Sequence, residues 1–345
     1  MLNVSRKGLQ GSISGSLSNL DQLRLLDLSY NDLKGGLPTD FSNLQLLEVL
    51  DLSHNMLSGS IVGALDKLTL VQSLNLSSNL FSGNFSGIGK FPDLVEFVIS
   101  NNSFSGELDS QLCSVSRKIR VLDISLNHFT LGLEWLDNCS ISLQQLHLDE
   151  NSLTGLLPES MYSMTSLEQL SVSANYFSGQ LSPQLSKLSN LKSLVLSGNM
   201  FSGAIPDVFG NLTNLEQFSA NSNSFSGALP SSLAQCSKLR VLELRNNSLS
   251  GVINLDFTGL PNLYTLDLAS NRFHGPLPDS LCTSQELRIL NLARNKLTGQ
   301  VPGSYANLTS LMFLSLSNNS LTSLSGAVSV LQNSRSLTTL ISSSP

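Results

Sequence analysis

Charge is scarce in this chain. Lysine and arginine together number 19, and aspartate and glutamate 25, in 345 residues, for a formal net charge of −6. A thin, acidic balance argues against nucleic acid or an acidic membrane surface as a partner. Long apolar runs are missing as well. None approaches the ~18 residues that a membrane-crossing helix needs, so direct insertion into a bilayer is not expected. The opening Met1-Leu2-Asn3-Val4-Ser5-Arg6-Lys7 lacks the apolar core of a secretory leader. Histidine is rare, and His54, His128, His147 and His274 lie too far apart to surround a metal ion. No serine, histidine and acid fall where one pocket could collect them. The sequence therefore points to a chain without catalysis, metal or cofactor.

What the chain has instead is a period. Residues 191 to 214 read LKSLVLSGNMFSGAIPDVFGNLTN. Leu194 and Leu196 alternate with Val195 and Ser197, which makes a short strand with one apolar face. Asn199 ends that strand, and its amide can pair with backbone groups at the bend that would otherwise be buried unpaired. Gly203 permits a turn, Pro206 fixes φ and withholds a donor, and Phe209 and Leu212 bring the chain back over the core. The same asparagine recurs at Asn31, Asn55, Asn79, Asn102, Asn127, Asn151, Asn175, Asn199, Asn223, Asn247, Asn271, Asn295 and Asn319. The interval is 24 throughout, except 23 and then 25 around Asn102. One such turn cannot bury its own apolar face, so the turns must stack.

This is the pattern of a leucine-rich repeat with an L-x-G-x-I-P extension. The fold expected is an α/β-type leucine-rich-repeat solenoid of plant-specific 24-residue repeats. It would have a parallel concave β-sheet, short 3-10 or helical turns and loops on the convex side, and a superhelical course. Residues 1–322 would form the solenoid, 13 to 14 repeats. It starts inside a degraded repeat with no polar cap, which suggests a fragment. Residues 323–345 would begin an island or degenerate repeat. Ser323 replaces the glycine, Leu324 to Leu331 looks like a short helical turn, Leu337 and Leu340 fit a last strand, and a polar mobile tail follows. The region 85 to 140 is less regular. Phe85-Ser86 stands in place of Ile-Pro, and the sole tryptophan, Trp135, lies here; a distorted turn is the expected cause. Cys113, Cys139, Cys236 and Cys282 all fall on the returning side of their repeats. Four small buried apolar side chains are the simplest reading. Cys113 and Cys139 occupy adjacent repeats and can pair if the compartment oxidises.

Strands ~4.8 Å apart would give a concave ribbon ~60 Å long, on which outward residues form columns. The consensus fills the columns with Asp and Ser, as at Asp27, Asp51 and Asp123, so departures are informative. The ligand-binding candidates on this face are His147, Asp149, Ser173, Ser197, Asn221, Arg245, Asn246, Asp267 and Arg294. A face of hydroxyls, amides and arginines suits an extended peptide, whose backbone can pair with Ser, Asn and Asp and whose anionic groups can reach Arg. Sequons are frequent in so Asn- and Ser-rich a chain. The N-glycosylation candidates are Asn84, Asn138, Asn211 and Asn307. A glycan on Asn246 would crowd the face, so that sequon is expected to stay bare.

The L-x-G-x-I-P repeat resembles that of plant receptor-like kinases and receptor-like proteins. Further stretches are similar to the phytosulfokine-receptor family: Ile205-Pro206-Asp207-Val208-Phe209, Leu244-Arg245-Asn246-Asn247-Ser248-Leu249-Ser250-Gly251, and Asn291-Leu292-Ala293-Arg294-Asn295. SLSNNSLTSLSGAVSVLQNSRSLTTL, from Ser315 to Leu340, is the most specific. The resemblance implies a non-catalytic ectodomain at the extracellular face of the plasma membrane, belonging to a receptor whose kinase lies elsewhere. It implies that a short peptide hormone bearing sulfated tyrosines binds between the concave face and the island, and that a co-receptor kinase joins the complex. By position it implies contacts at Ser173, Ser197, Asn221, Asn246 and Asp267, with Arg245 as a sulfate partner. The family continues past Leu340 with an island strand, whereas this chain stops at Pro345. A truncated ectodomain that binds the hormone weakly or not at all is therefore expected. Two other readings fit the repeats: an immune-type receptor-like protein, and a secreted inhibitor of a wall-degrading enzyme, which would carry capped ends with paired cysteines.

Overall fold

The computed structural model describes residues 1–84, 91–108, 111–139, 142–322, 329–332 and 336–341. The chain divides into two compact units, Met1–Tyr176 and Phe177–Pro345, each built from the same coil. In the first unit the L-x-L strands are Leu2–Asn3, Leu25–Asp27, Val49–Asp51, Ser73–Asn75, Glu96–Val98, Val121–Asp123, Gln145–His147 and Gln169–Ser171. They pair in parallel, in chain order. Leu26 faces Leu50, Leu50 faces Leu74, Leu74 faces Phe97 and Phe97 faces Leu122. The uneven spacing around Asn102 is thus absorbed in the connections. A one-residue slip in the strands would turn every apolar side chain to solvent.

In the second unit the equivalent strands are Ser193–Val195, Gln217–Ser219, Val241–Glu243, Thr265–Asp267, Ile289–Asn291, Phe313–Ser315 and Thr339–Ile341. The last of them pairs Leu340 with Leu314, where the sequence spacing places it. Of the helical turn expected over 324–331, residues 329–331 are helical. Residues 324–328, the tail 342–345 and the Phe85-Ser86 step lie outside the described residues.

The stretch after each ladder asparagine is more than a turn. It forms a second parallel ladder, for example Asp32–Gly35, Met56–Gly59 and Ser152–Gly155 in the first unit. In the second unit it includes Ser224–Gly227, Ser248–Val252, Arg272–Gly275 and Lys296–Gly299. The sequence reason is alternation: in Ser224-Phe225-Ser226 the phenylalanine points in and the serines out. Gly227, at φ 79°, then turns the chain where a side chain would be strained. Phenylalanines at this position stack on one another, Phe81 on Phe104 and Phe104 on Phe129 in the first unit, Phe201 on Phe225 in the second, with ring centres 6.1 to 6.5 Å apart. The Ile-Pro step leads into short 3-10 turns, with Pro38, Pro158, Pro230, Pro278 and Pro302 at their N-caps.

The ladder asparagines stitch successive repeats together. Asn271 is typical: its Oδ1 accepts the Leu249 N–H of the preceding repeat at 2.9 Å. Its Nδ2 donates to Leu244 O at 2.9 Å, Leu268 O at 3.1 Å and Ala269 O at 3.2 Å. The amide therefore serves backbone groups of two repeats at once, which fixes Asn rather than Asp or Ser at this position.

The irregular region corrects one expectation. Cys113 and Cys139 are joined in a disulfide, so four inert thiols is not the arrangement. Cys236 is a buried free thiol, and burial pushes its pKa up to about 11. The disulfide ties an α-helical turn, Gln111–Val115, to the 3-10 turn Glu134–Asn138 of the next repeat. Trp135 is buried in that second turn, and Ser116 is buried with its Oγ donating to Phe91 O at 2.7 Å. Both side chains are part of the unit's packing.

Candidate functional site

On each L-x-L strand the residues flanking the inward leucines point away from the core. Two outward columns carry the candidates. One holds the last strand residue, such as Asp27, and the other holds the residue two further on, such as Ser29. In the first repeats the first column serves the second. Asp27 Oδ1 accepts the Ser29 N–H at 3.0 Å, Asp51 Oδ1 accepts from Ser53 N at 2.9 Å, and Asp123 Oδ1 accepts from Ser125 N at 3.0 Å. This is an Asx turn closing the strand end, and it explains the consensus aspartate.

An asparagine in the first column keeps that turn, as Asn75 does to Ser77 N; where the column drifts further, at His147 and Ser171, other bonds replace it. His147 and Ser171 occupy the aspartate position in the first unit. Here Asp149, from the second column, reaches forward to the next repeat and accepts from Ser173 N at 2.7 Å and from the hydroxyls of Ser173 and Ser171. In the second unit Ser197 Oγ accepts from Asn221 N at 3.1 Å, and Asn221 Oδ1 accepts from Arg245 N at 2.8 Å. The off-consensus residues thus carry a forward chain of bonds between repeats in place of a local turn. Asp149, Ser197 and Asn221 are half-buried clamps of backbone amides as well as outward-facing polar groups.

The second unit brings Asn221, Arg245 and Asp267 onto consecutive strand ends. Ser219 Oγ donates to Glu243 Oε2 at 3.0 Å and accepts from Gln217 Nε2 at 3.2 Å. Gln217 was not among the sequence candidates. Glutamine also stands at the first strand position at Gln145 and Gln169, so the sequence gives Gln217 no signal of its own. Asp267 keeps the consensus turn to Ala269 N at 3.0 Å and accepts from Asn291 Nδ2 at 3.1 Å. Burial nevertheless raises its carboxyl pKa, against the lowering effect of those bonds and of the nearby Arg245 charge. The Arg245 guanidinium is exposed and makes no ion pair among the described residues. Asn246 and Arg294 sit apart from the strand columns, at the left-handed bend with φ 56° and 54°.

The sequon asparagines Asn84, Asn211 and Asn307 are all exposed. Asn211 and Asn307 end the 3-10 turns Phe209–Asn211 and Gly303–Asn307, away from the strand columns. Asn138 ends the turn before Cys139, and its side chain lies outside the described residues. No three His, Cys, Asp or Glu side chains converge as a metal site among the described residues. No helix there is long and apolar enough to cross a membrane.

Leucine-rich-repeat family profiles match residues 22–44, 46–68, 142–164, 190–212 and 286–308, and a further one matches 221–273. Over 141 residues, 41% of the chain, the sequence is 67% identical to phytosulfokine receptor 2 of Arabidopsis thaliana, of which it covers 14%. The fold superposes on the ectodomain of the Arabidopsis receptor kinase HAESA, solved with an N-terminally extended IDA peptide hormone. The TM-score is 0.82 and the identity 28%, over 98% of this chain and 61% of that one. It also resembles HAESA in its complex with IDA and the co-receptor SERK1, with a TM-score of 0.69 and 27% identity over 93% of this chain and 62% of that one. The chain thus spans a small part of the curated relative and about three fifths of the solved ectodomains.

Proposed function

Because the chain belongs to the leucine-rich-repeat family, in the form that plant receptor-kinase ectodomains carry, we propose that it binds a short, extended peptide hormone bearing sulfated tyrosine. The outward columns of the second unit's strands would hold it. Each inner strand is hydrogen-bonded on both sides, so a ligand meets side chains and not a free backbone edge. Ser197 and Asp267 offer donors and acceptors to the peptide backbone, Asn221 positions Arg245, and Arg245 offers an unpaired cation to an anionic group. The single observation that carries this reading is Arg245. Its guanidinium is exposed and its backbone N–H is pinned by Asn221, on a face otherwise made of hydroxyls, amides and carboxylates. The identity with phytosulfokine receptor 2 supports sulfotyrosine as the anion. The same reading makes the columns a binding surface and not a catalytic one, places the chain outside the cell at the plasma membrane, and gives the intact receptor a co-receptor kinase as partner.

The inhibitor reading gains nothing from the disulfide, because Cys113–Cys139 lies in mid-unit and not at an end. The test is calorimetric titration with a tyrosine-sulfated pentapeptide and its unsulfated twin. The sulfated form should bind roughly tenfold tighter or more, and Arg245→Gln should erase that ratio while leaving the unsulfated affinity in place. Equal affinities for the two peptides would refute the assignment.

A further inference from the structure

One concentration of basic side chains in the second unit lies off the L-x-L strands. Arg272 and His274 belong to the second-ladder strand Arg272–Gly275, and Lys296 opens its neighbour Lys296–Gly299. His274 and Lys296 are register partners, and Ser250 partners Arg272. The same register step sets Arg294 beside Arg272, at the bend where Arg294 O accepts from Asn271 N at 3.2 Å. Residues two apart on an extended strand share a face, so Arg272 and His274 project together, and the intervening Phe273 and, on the next strand, Leu297 are buried. Arg272, His274 and Lys296 therefore form one cluster, with ~4.8 Å between strands and ~6.6 Å along them, and Arg294 borders it from its left-handed bend. All four are exposed. None meets a carboxylate among the described residues. The molecule as a whole carries −6, so this local sign needs an explanation other than composition.

The surroundings narrow the occupant. The strands on either side continue the ladder, so no free edge is open to an added peptide strand. Apolar anchorage amounts to Val252, the register partner of His274, which is too small for the buried aromatic anchors of protein interfaces. What flanks the block is hydroxyl: Ser248 and Ser250 on one side, Thr298 and Ser320 on the other. We infer that this face docks an acidic polysaccharide, a linear polymer with a carboxylate on each sugar. The chain lies across the strands, with carboxylates on Arg272, Arg294 and Lys296, a further contact at His274, and sugar hydroxyls on the serine and threonine rows.

The experiment is titration of the full chain with an oligogalacturonate, with a neutral glucan oligomer of equal length in parallel. Saturable binding of the acidic oligomer alone is expected, weakening steeply with salt. The Arg272→Gln/Arg294→Gln/Lys296→Gln variant should lose roughly tenfold or more in affinity. Lys187→Gln, in a 3-10 turn away from the block, should lose nothing. The substituted side chains are exposed, so the circular dichroism spectrum should not change; if the triple variant misfolds, Lys296→Gln alone should still lose affinity measurably. Unchanged affinity in these variants, or equal binding of the neutral oligomer, would overturn the assignment. So would equally tight binding of poly-glutamate, which would put an acidic protein in place of the polysaccharide. None of these readouts involves Arg245 or a peptide hormone, so the outcome is independent of the hormone-binding proposal.

Discussion

Replacing Asn271 tests what holds the coil together. Its side chain makes four bonds, but they are not equally replaceable. Leu244 O also accepts from Asn247 Nδ2 at 3.1 Å, Leu268 O from Asn295 Nδ2 at 3.0 Å, and Ala269 O from Asn246 N at 2.9 Å. Each carbonyl would therefore keep one donor after Asn271→Ala. The Leu249 N–H would not, since Asn271 Oδ1 is the acceptor it has. One buried orphan donor costs ~1–3 kcal/mol, and three weakened carbonyl bonds add to it, so Asn271→Ala should cost about 2–4 kcal/mol. Asn271→Asp separates the roles: a carboxylate still accepts from Leu249 N, but it faces three carbonyl oxygens with no proton to give. It should be worse than alanine at neutral pH. The new carboxyl would have a raised folded-state pKa, so stability present below the unfolded value of ~3.9 is lost as pH rises through the folded one. Acidification should therefore close the gap between the two variants. The assays are denaturant unfolding followed by circular dichroism and hydrogen exchange at the Leu249 amide. An alanine variant within ~0.5 kcal/mol of wild type, or an aspartate variant as stable as alanine at neutral pH, would refute the argument.

Gly259→Ala should destabilise the second unit by about 1–3 kcal/mol or more, because a Cβ there would stand 1.9 Å from the backbone oxygen of Ala234, which cannot rotate away; thermal unfolding measures it. Asp267→Asn should be stabilising at neutral pH. Burial raises the Asp267 pKa, so its stability contribution is present at acid pH and lost as pH rises through that value, and Asn291 shows that an amide can close the same turn, to Ala293 N. Unfolding curves at neutral pH and below the carboxylate range should differ in the first case and converge in the second. Reducing the Cys113–Cys139 bond, which closes a 26-residue separation, should cost about 3 kcal/mol and speed amide exchange in the two turns it joins.

The spacing of thirteen asparagines made the inner sheet legible, because a fixed period forces each strand into register with its neighbour. The second ladder was not legible from the same spacing. Gly203 and Pro206 read as turn signals and drew attention from Met200–Ala204, where outward serine alternates with inward phenylalanine too briefly to register as a strand. The disulfide was left open because adjacency of repeats sets proximity but not the oxidation state of a compartment. At the site, drift from Asp and Ser marked columns whose polar groups the structure joins from repeat to repeat. It did not reveal that Asp149, Ser197 and Asn221 replace a lost local turn, since a bond to the following repeat leaves no trace in a single repeat's pattern.

That double duty yields a separation of effects. Arg245 presents its charge to solvent, so Arg245→Gln should lower affinity for a sulfated peptide and leave stability unchanged. Asp149 holds Ser173 N at 2.7 Å, so Asp149→Ala should cost about 1 kcal/mol in the first unit with no effect on the affinity set by Arg245. Asn221 stands between these cases. Its Oδ1 fixes the Arg245 N–H at 2.8 Å, and Asn221→Ala frees the strand end that carries the guanidinium. It should cost about 1 kcal/mol and also weaken the peptide, with the loss confined to the sulfated form. Asn221→Asp keeps the acceptor but turns the Nδ2 donor to Glu243 Oε2 into a carboxylate oxygen, so it should lower stability and add a charge that opposes an anionic ligand. Urea unfolding and peptide titration on the same four proteins measure both quantities. If Asn221→Ala lost affinity equally for sulfated and unsulfated peptide, Asn221 would be a direct backbone contact, and its placement of Arg245 would not be what the ligand reads.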